Sequence, residues 1–299
     1  MPHDNCDVSA YHGQCHNILS QADIISYVKA AVKLGIVHFR LTGGEPLLYP
    51  KIDKLVYAMK NEPGVETVSI TTNGVLLDRY AQSFSKSKID SINISLDAID
   101  DETYTKITGV DCLKRVKTNI ESLIKYGFNI KINAVLMPET DVLGLVEYAQ
   151  QYRIPIRFIE MMPIGVGRIN DMAPYEAVIK PLEKKYGMAV LSNNGWQMNS
   201  TISGHGPAVY YKFPGLDTQV GLIQAIHGKF CDQCNRIRIT ADGRLMPCLN
   251  SKNLIDLNLA KQNGHDGIFD AIKKGIEDKP QCHHFELENT MRTMDRIGG

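Results

Sequence analysis

Three cysteines near the end of the sequence have the spacing of a metal centre. Cys231, Cys234 and Cys248 form a C-x2-C-x13-C pattern. The first two can bind one metal centre from a single tight turn. The third is reached through a short hairpin, in which Asp242-Gly243 makes the reversal. The pattern predicts that the three thiolates meet at one site.

Two arginines lie between the second and third cysteines. Arg236 and Arg238 alternate along the first arm of the hairpin, so we expect both side chains on one face, close to the metal. Thiolates beside paired guanidinium groups suit an iron–sulfur or zinc site that adjoins an anionic ligand.

The spacing alone leaves two metals open. A [4Fe–4S] cluster held by three cysteines leaves one iron free to bind a ligand. A structural zinc site needs four protein ligands. The candidates for that fourth ligand are His227, Cys282, His283 and His284.

The composition excludes some function classes. The sequence has 299 residues, with 33 basic and 33 acidic side chains and therefore no net charge. This balance gives no support to nonspecific binding of a nucleic acid polymer or a membrane surface. No apolar run approaches the roughly 18 residues of a membrane span, and the first residues lack a signal-peptide core.

The seven cysteines favour metal-bound or free thiols in a reducing compartment over disulfides. We therefore expect a cytoplasmic metal-binding protein. The cysteines that we expect to be thiols without a metal are Cys6, Cys15, Cys112 and Cys282.

The first part of the sequence alternates between strand and helix patterns. A helix capped by Ser20 and ended by Gly35 comes first. The predicted strands are 36–42, 65–72, 89–97, 129–136 and 155–162, and the helices between them are 50–60, 76–87, 112–126 and 141–152. Near-continuous apolar strands between amphipathic helices predict parallel βαβ units, with ligands at the carboxyl ends of the strands.

The rhythm changes near residue 170. A further helix at 173–187 is followed by short strands at 188–192, 207–213 and 219–226, the cysteine hairpin and a helical tail. We therefore expect two domains, 1–170 and 171–299, with the second forming a smaller α+β extension over the open end of the sheet.

Polar or glycine-containing segments follow four of the predicted strands. They are Gly43-Gly44-Glu45-Pro46, Thr71-Thr72-Asn73-Gly74, Ser95-Leu96-Asp97 and Glu160-Met161-Met162-Pro163. Two adjacent glycines let the backbone approach a ligand closely, and the glutamate after them can accept a hydrogen bond from an ammonium or hydroxyl group. Four such segments at neighbouring strand ends predict one shared ligand site.

The order GGEP, TTNG, SLD and EMM, followed by C-x2-C-N-R-x-R and a third cysteine, resembles the radical S-adenosylmethionine superfamily. Within it, the sequence resembles the family that cyclises GTP in the first step of molybdenum cofactor (molybdopterin) biosynthesis. The likeness runs from about Ser20 to the end. It implies a lyase that converts GTP to (8S)-3′,8-cyclo-7,8-dihydroguanosine 5′-triphosphate. The implied fold is a partial (βα)6-type TIM barrel, whose first strand is missing here, with a C-terminal α+β extension carrying an iron–sulfur site held by three cysteines.

The resemblance also implies roles for individual residues. Cys231, Cys234 and Cys248 would hold a [4Fe–4S] cluster. The residues implied for S-adenosylmethionine binding are Gly44, Ser95 and Met162, and those implied for GTP binding are Arg40, Thr71, Lys131, Arg236, Ile237 and Arg238. Arg157 and Arg168 would lie near the triphosphate, and the Gly298-Gly299 tail would reach into the active site.

The implied partners are GTP, S-adenosylmethionine and a reductant. A homodimer and a functional link to cyclic pyranopterin monophosphate synthase, the next enzyme of the pathway, also follow from the resemblance. Neither a nucleic acid polymer nor a membrane is expected as a partner.

The sequence departs from the superfamily at one motif. A second [4Fe–4S] cluster, which reduces S-adenosylmethionine, is held in the superfamily by C-x3-C-x2-C after the first barrel strand, and this motif is absent here. Cys6 and Cys15 have the wrong spacing to replace it. Met1-Pro2 matches the residues that commonly follow the motif, so we expect a sequence that starts just past it, with natural loss as the alternative.

Three consequences follow from this departure. We expect five barrel strands with an exposed sheet edge, and no production of 5′-deoxyadenosine by the 299-residue chain. A smaller departure is His38, where a long basic side chain is usual in the family. Two other function classes stay open: a radical enzyme that matures a peptide, and a non-catalytic nucleotide-binding iron–sulfur or zinc protein.

Overall fold

The computed structural model describes residues 18–164, 173–192 and 206–285. Predictions that concern Cys6, Cys15, Arg168 and the Gly298-Gly299 tail lie outside these residues. Within the described ranges, every helix is too short or too polar to cross a bilayer.

Helices and strands alternate through the first half of the chain, as expected. The helices are α1 (Gln21–Lys33), α2 (Ile52–Lys60), α3 (Ala81–Ser87), α4 (Asp101–Thr108), α5 (Leu113–Lys125), α6 (Val142–Gln151), α7 (Glu176–Tyr186), α8 (Leu257–Ala260) and α9 (Gly264–Glu277). The sequence reading missed α4, which Asp100 caps by accepting from the amide of Thr103 at 2.8 Å.

Eight strands form one sheet and three form a small second sheet. The strands are β1 (His38–Leu41), β2 (Thr67–Thr72), β3 (Ser91–Ser95), β4 (Ile130–Leu136), β5 (Ile156–Glu160), β6 (Val190–Leu191), β7 (Val209–Lys212), β8 (Val220–Ile223), β9 (Arg238–Ile239), β10 (Arg244–Met246) and β11 (Ile255–Asp256). The large sheet has the order β1-β2-β3-β4-β5-β8-β7-β6. Strands β1 to β5 are parallel, as predicted.

The sheet continues beyond the five predicted barrel strands. Strand β8, which comes from the second half of the chain, pairs with β5 in parallel, and β7 and β6 then add antiparallel strands. Strand β1 lies at the other edge of the sheet within the described residues. The partial barrel is therefore built from both halves of the chain.

The two faces of the large sheet differ in chemistry. On β2, Val68 and Ile70 are fully buried in the main hydrophobic core with the helices. Ser69 and Thr71 alternate with them and point to the opposite, interior face. The expectation of near-continuous apolar strands was therefore wrong, because only the helix-facing half of each strand belongs to the apolar core. The other half is free to carry polar side chains.

The second half of the chain docks on the first through a separate apolar cluster. Tyr27 of α1 packs with Leu245 of β10 and with Ile268 and Ile272 of α9. A side chain at Gly275 would collide with the Leu245 side chain, so glycine lets α9 approach the hairpin closely. Helix α9 is thus fixed directly beside the cysteine hairpin.

Candidate active site

A row of polar and cationic side chains crosses the interior face of the large sheet. The register places Arg40 opposite Ser69, Thr71 opposite Asn93, Asn93 opposite Lys131, Asn133 opposite Arg157, and Arg157 opposite Gly221. Partners in a sheet register project to the same face. Side chains predicted from four separate strands therefore share one surface.

Arg157 is fixed within this row by neutral groups. Its Nε donates to Asn133 Oδ1 at 2.8 Å, its Nη2 donates to Asn93 Oδ1 at 2.5 Å, and it also hydrogen-bonds Tyr210. None of these three acceptors is a carboxylate. The guanidinium is 4% exposed and stays oriented without being neutralised by these acceptors.

Gly221 makes room for this arrangement. A Cβ at this position would lie 2.9 Å from Arg157 Cγ and 2.9 Å from Tyr210 Cε1, which is too close for carbon atoms. The glycine in the middle of β8 therefore admits the two side chains on either side of it.

The cations of the row raise each other's electrostatic cost. Burial, followed by the charges of Arg157 and Arg40, lowers the pKa of Lys131 to about 8. Burial and the charges of Arg157, Arg236 and Arg238 lower the pKa of Arg40 to about 10. The row and the hairpin arginines therefore act on one another, which suits a ligand that carries several negative charges.

Arg40 combines depth with access. Its side chain lies among many protein atoms, yet much of its surface is open to solvent. A residue that lines an open cavity has both properties, and we give weight to the accessible surface because that surface can meet a ligand. Its Nε donates to Ser69 Oγ at 3.2 Å, which orients the guanidinium.

The predicted hairpin is present. Strands β9 and β10 pair antiparallel, and the amide of Gly243 donates to the carbonyl of Thr240 at 2.9 Å, with Gly243 at φ +83°. Arg236 lies before β9 rather than on it, so the predicted strand alternation with Arg238 was wrong. Its guanidinium instead lies 5.1 Å from the centroid of the Phe230 ring.

The three cysteine side chains of the hairpin are electrostatic neighbours. Cys231 begins a one-turn 3-10 helix, and Cys234 follows that turn. Burial raises the pKa of the Cys231 thiol, and Cys282 and Cys248 act on it as neighbours. Burial lowers the pKa of Arg238 to about 10, and Cys234 and Cys248 oppose this decrease. The turn and the hairpin therefore bring the thiols to one region, as the spacing predicted.

Lys279 lies against the same region, and the sequence reading did not find it. Its Nζ donates to the carbonyl oxygens of Arg236 at 2.6 Å and Pro247 at 3.2 Å, and it lies 3.5 Å from Cys234 Sγ. For Cys234, burial acts to raise the pKa. The amide of Arg236 and the charges of Arg236 and Lys279 outweigh burial and hold that pKa below its ordinary value.

Two carboxylates at strand ends hold loops of the site together. Glu45 accepts from the amide of Leu47 at 3.0 Å, from the Thr72 hydroxyl at 2.6 Å and from the amide of Asn73 at 2.8 Å. The carboxylate expected to meet a ligand therefore joins the GGEP and TTNG segments. Glu160 likewise accepts from the amide of Ile226 at 2.7 Å.

Sequence profiles identify the family of the chain. The profile of the Radical SAM superfamily matches residues 6–149, and the profile of Molybdenum Cofactor Synthesis C matches residues 154–285. A protein of Clostridium perfringens named GTP 3′,8-cyclase is 33% identical over 95% of this chain and 89% of its own length. A protein of Clostridium acetobutylicum with the same name is 34% identical over 96% of this chain and 89% of its own length. This chain belongs to the GTP 3′,8-cyclase family.

A solved structure gives a more distant likeness. The structure described as native anSMEcpe with bound AdoMet and Cp18Cys peptide is 22% identical to this chain. It aligns over 61% of this chain and 55% of its own, with a TM-score of 0.48. At this level the likeness carries no argument about the site.

Membership of the GTP 3′,8-cyclase family implies [4Fe–4S] clusters and S-adenosylmethionine. Among the described residues, no three His, Cys, Asp or Glu side chains converge as the ligands of one metal ion do. A [4Fe–4S] cluster binds each cysteine through a different iron, so it needs neighbouring thiols that do not meet at one point. Cys231, Cys234 and Cys248 fit that requirement. The C-x3-C-x2-C set of the other cluster is not in the sequence, and that cluster does not fit the residues present.

The residues considered as a fourth zinc ligand have separate roles. His227 contacts Glu160 through Nδ1, the Nε2 of His283 lies 2.6 Å from the carbonyl oxygen of Ala225, and the amide of His284 donates to Asn250 Oδ1 at 3.1 Å.

Of the candidate fourth ligands, Cys282 lies beside Cys231. Cys112, by contrast, is 2% exposed and disulfide-bonded, which differs from the expectation of free thiols.

The remaining predicted site residues lie where the strand pattern put them. Gly44 follows β1, Ser95 ends β3 and Met162 follows β5, so all three lie at the carboxyl edge of the sheet. Ile237 packs its side chain against the cluster that joins α1 and α9, which leaves its backbone as the part that can face a ligand. His38 Nδ1 lies 3.0 Å from Thr67 Oγ1, at the start of β1.

Proposed function

We propose that this chain binds GTP and converts it to (8S)-3′,8-cyclo-7,8-dihydroguanosine 5′-triphosphate in molybdenum cofactor biosynthesis. Family membership supports the reaction. The observation that carries the proposal for this chain is the interior row of cations, in which Arg157 is oriented by neutral acceptors. A triphosphate needs several guanidinium and ammonium donors that converge locally, and a protein with no net charge can supply them from one pocket.

The residues would divide the work as follows. Lys131 and Arg157, with Arg40 at the accessible side of the row, would bind the triphosphate. Arg236, Ile237, Arg238 and Thr71 would contact the rest of the nucleotide. Positioning both ends of GTP would hold the ribose C3′ close to the guanine C8, the two atoms that become bonded.

Cys231, Cys234 and Cys248 would hold a [4Fe–4S] cluster. The group would supply an iron with an open coordination position, to which a purine can bind. Gly44, Ser95 and Met162 would line the S-adenosylmethionine site at the carboxyl edge of the sheet. No step is assigned to a further cluster, since its C-x3-C-x2-C set is not in this sequence.

The test is a set of anaerobic measurements on the full chain after iron and sulfide reconstitution. We expect iron rather than zinc in the protein, with GTP binding in the micromolar range by calorimetry. The Cys248→Ser variant should lose iron, and Arg157→Met should bind GTP more weakly without losing iron. Zinc in place of iron, or no GTP binding by the iron-loaded protein, would contradict the proposal.

A second assay separates the alternative functions. The amount of 5′-deoxyadenosine made from S-adenosylmethionine shows whether this chain starts radical chemistry. Formation that requires a peptide would favour a peptide-maturing enzyme. GTP binding with no 5′-deoxyadenosine would favour the non-catalytic nucleotide-binding protein.

The wider setting is part of the same proposal. We assign the protein to the cytoplasm and divide it into a barrel part, 1–170, and an extension, 171–299. Its partners would be a reductant, a second copy in a homodimer, and cyclic pyranopterin monophosphate synthase as the consumer of its product. Light scattering of the purified protein tests the dimer.

A further inference from the structure

We propose that Lys279 is a positioning residue of the cysteine site, which joins the two ends of the hairpin and sets the reduction potential of the cluster. The inference rests on the proposed cluster at Cys231, Cys234 and Cys248. It assigns a role to a residue outside the cysteine motif and outside the row of cations on the sheet.

The hydrogen bonds of Lys279 support the joining role. The carbonyl oxygen of Arg236 lies at the start of the first arm, and that of Pro247 lies at the end of the second arm, directly before Cys248. One ammonium group therefore connects the backbone next to two of the cysteines. Removing it would free the ends of the hairpin to separate.

The distance to sulfur supports the electrostatic role. Lys279 Nζ lies 3.5 Å from Cys234 Sγ, so its charge would lie directly beside a bound cluster. Reduction adds an electron, and a nearby cation stabilises the reduced state more than the oxidised state. Net charge and hydrogen bonds to the sulfurs are the protein's means of tuning such potentials.

The fold explains why Lys279 can hold this position. Asp278 caps α9 by donating from its amide to the carbonyl of Lys274 at 2.8 Å, and Lys279 follows immediately. Helix α9 is itself docked closely on β10 at Gly275. The ammonium is therefore carried by a rigid element rather than by a free tail.

A second contact from the same segment reinforces the arrangement. Cys282, three residues after Lys279, lies beside Cys231, and its Sγ donates to the carbonyl oxygen of His283 at 3.2 Å. Residues 279–283 therefore run along the cysteine site and approach both cysteines of the first turn. A segment that served only to end α9 would not need these contacts.

The two roles are separated by three substitutions at one position. Lys279→Gln keeps donors for the carbonyl oxygens but removes the charge. Lys279→Met removes both, and Lys279→Arg keeps both. Lys274→Met, on the exposed side of α9, is the control for loss of a positive charge nearby.

The measurements are iron content and the midpoint potential of the reconstituted cluster, followed by its electron paramagnetic resonance signal. We expect Lys279→Gln to keep wild-type iron content and to bind the electron about tenfold more weakly, a shift of about 59 mV to more negative potential for a one-electron couple. Lys279→Met should show the same shift and lose half or more of its iron. Lys279→Arg and Lys274→Met should match the wild type in both respects.

The possible failures are distinguishable. Unchanged potentials in Lys279→Gln and Lys279→Met, with a wild-type cluster present, would overturn the inference alone. A wild-type protein that takes up no iron would overturn the proposed function and the inference with it. Far-ultraviolet circular dichroism identifies a variant that has lost its fold. In that case Lys279→Gln and Lys279→Arg, which keep the donors, decide the result.

Discussion

Replacing Asn133 by aspartate would test whether the charge of Arg157 is reserved for a ligand. Asn133 Oδ1 accepts from Arg157 Nε at 2.8 Å, so Asn133→Asp puts a carboxylate where a neutral oxygen now lies. The new ion pair would compensate one cation of the row. The substitution would keep this contact, which is the hydrogen bond that the Asn133 side chain makes within the described part of the chain.

Two effects of opposite sign follow. A hydrogen bond to a charged partner is worth about 1 kcal/mol more than one between a charged and a neutral group, so the ligand-free protein should gain about 1 kcal/mol in its free energy of unfolding. The triphosphate should lose one charge-assisted hydrogen bond, which is worth about 1.5–3 kcal/mol. The dissociation constant for GTP should therefore rise roughly 10- to 100-fold.

The assay pairs calorimetric GTP titration with denaturant unfolding of the ligand-free protein. Asn133→Ala measures the loss of the amide without a new charge, and Asn61→Asp, on the exposed surface after α2, measures a change of net charge alone. Both controls should bind GTP within about threefold of the wild type, a difference of less than about 1 kcal/mol. Wild-type affinity in Asn133→Asp, or an equal loss in Asn133→Ala, would refute the reasoning.

Three further predictions concern the same sheet. Since Lys131 has a pKa of about 8 in the free protein and a phosphate would raise it, GTP binding takes up a proton above that pH; calorimetry should show affinity falling as pH rises past about 8, and a flat profile there for Lys131→Met would confirm the source. Gly221→Ala should cost about 1–3 kcal/mol of stability, because its methyl would lie 2.9 Å from Arg157 and Tyr210 carbons; unchanged unfolding in denaturant would count against this. Glu45→Ala should cost about 2–4 kcal/mol by leaving backbone amides without an acceptor, and should weaken S-adenosylmethionine binding, whereas an unaltered titration would show that the GGEP turn does not depend on its carboxylate.

Local patterns in the sequence predicted the strands, most of the helices and the cysteine hairpin. The Asp242-Gly243 reversal and the C-x2-C spacing depend only on neighbouring residues, so their geometry can be read without the fold. Arg40 and Lys131 could be placed at strands for the same reason, and the resemblance to a family gave them a role.

Contacts between distant segments could not be predicted in this way. The pairing of Arg157 with Asn133 and Asn93 depends on the register of three strands, and a single sequence does not state a register. Lys279 is one of many lysines in a helical tail, and only the docking of α9 on the hairpin distinguishes it. Gly221 offered a weak signal, a glycine inside an apolar strand pattern.

The row of side chains crosses the boundary between the two matched profiles, since Lys131 and Asn133 precede it while Arg157 and Gly221 follow it. Neither half would contain a complete nucleotide surface if it were produced alone. The two fragments would first have to find the β4–β5 pairing that sets Asn133 beside Arg157. Retention of GTP by mixed fragments would therefore report their reassembly, and the halves could not be exchanged between distant relatives as independent modules.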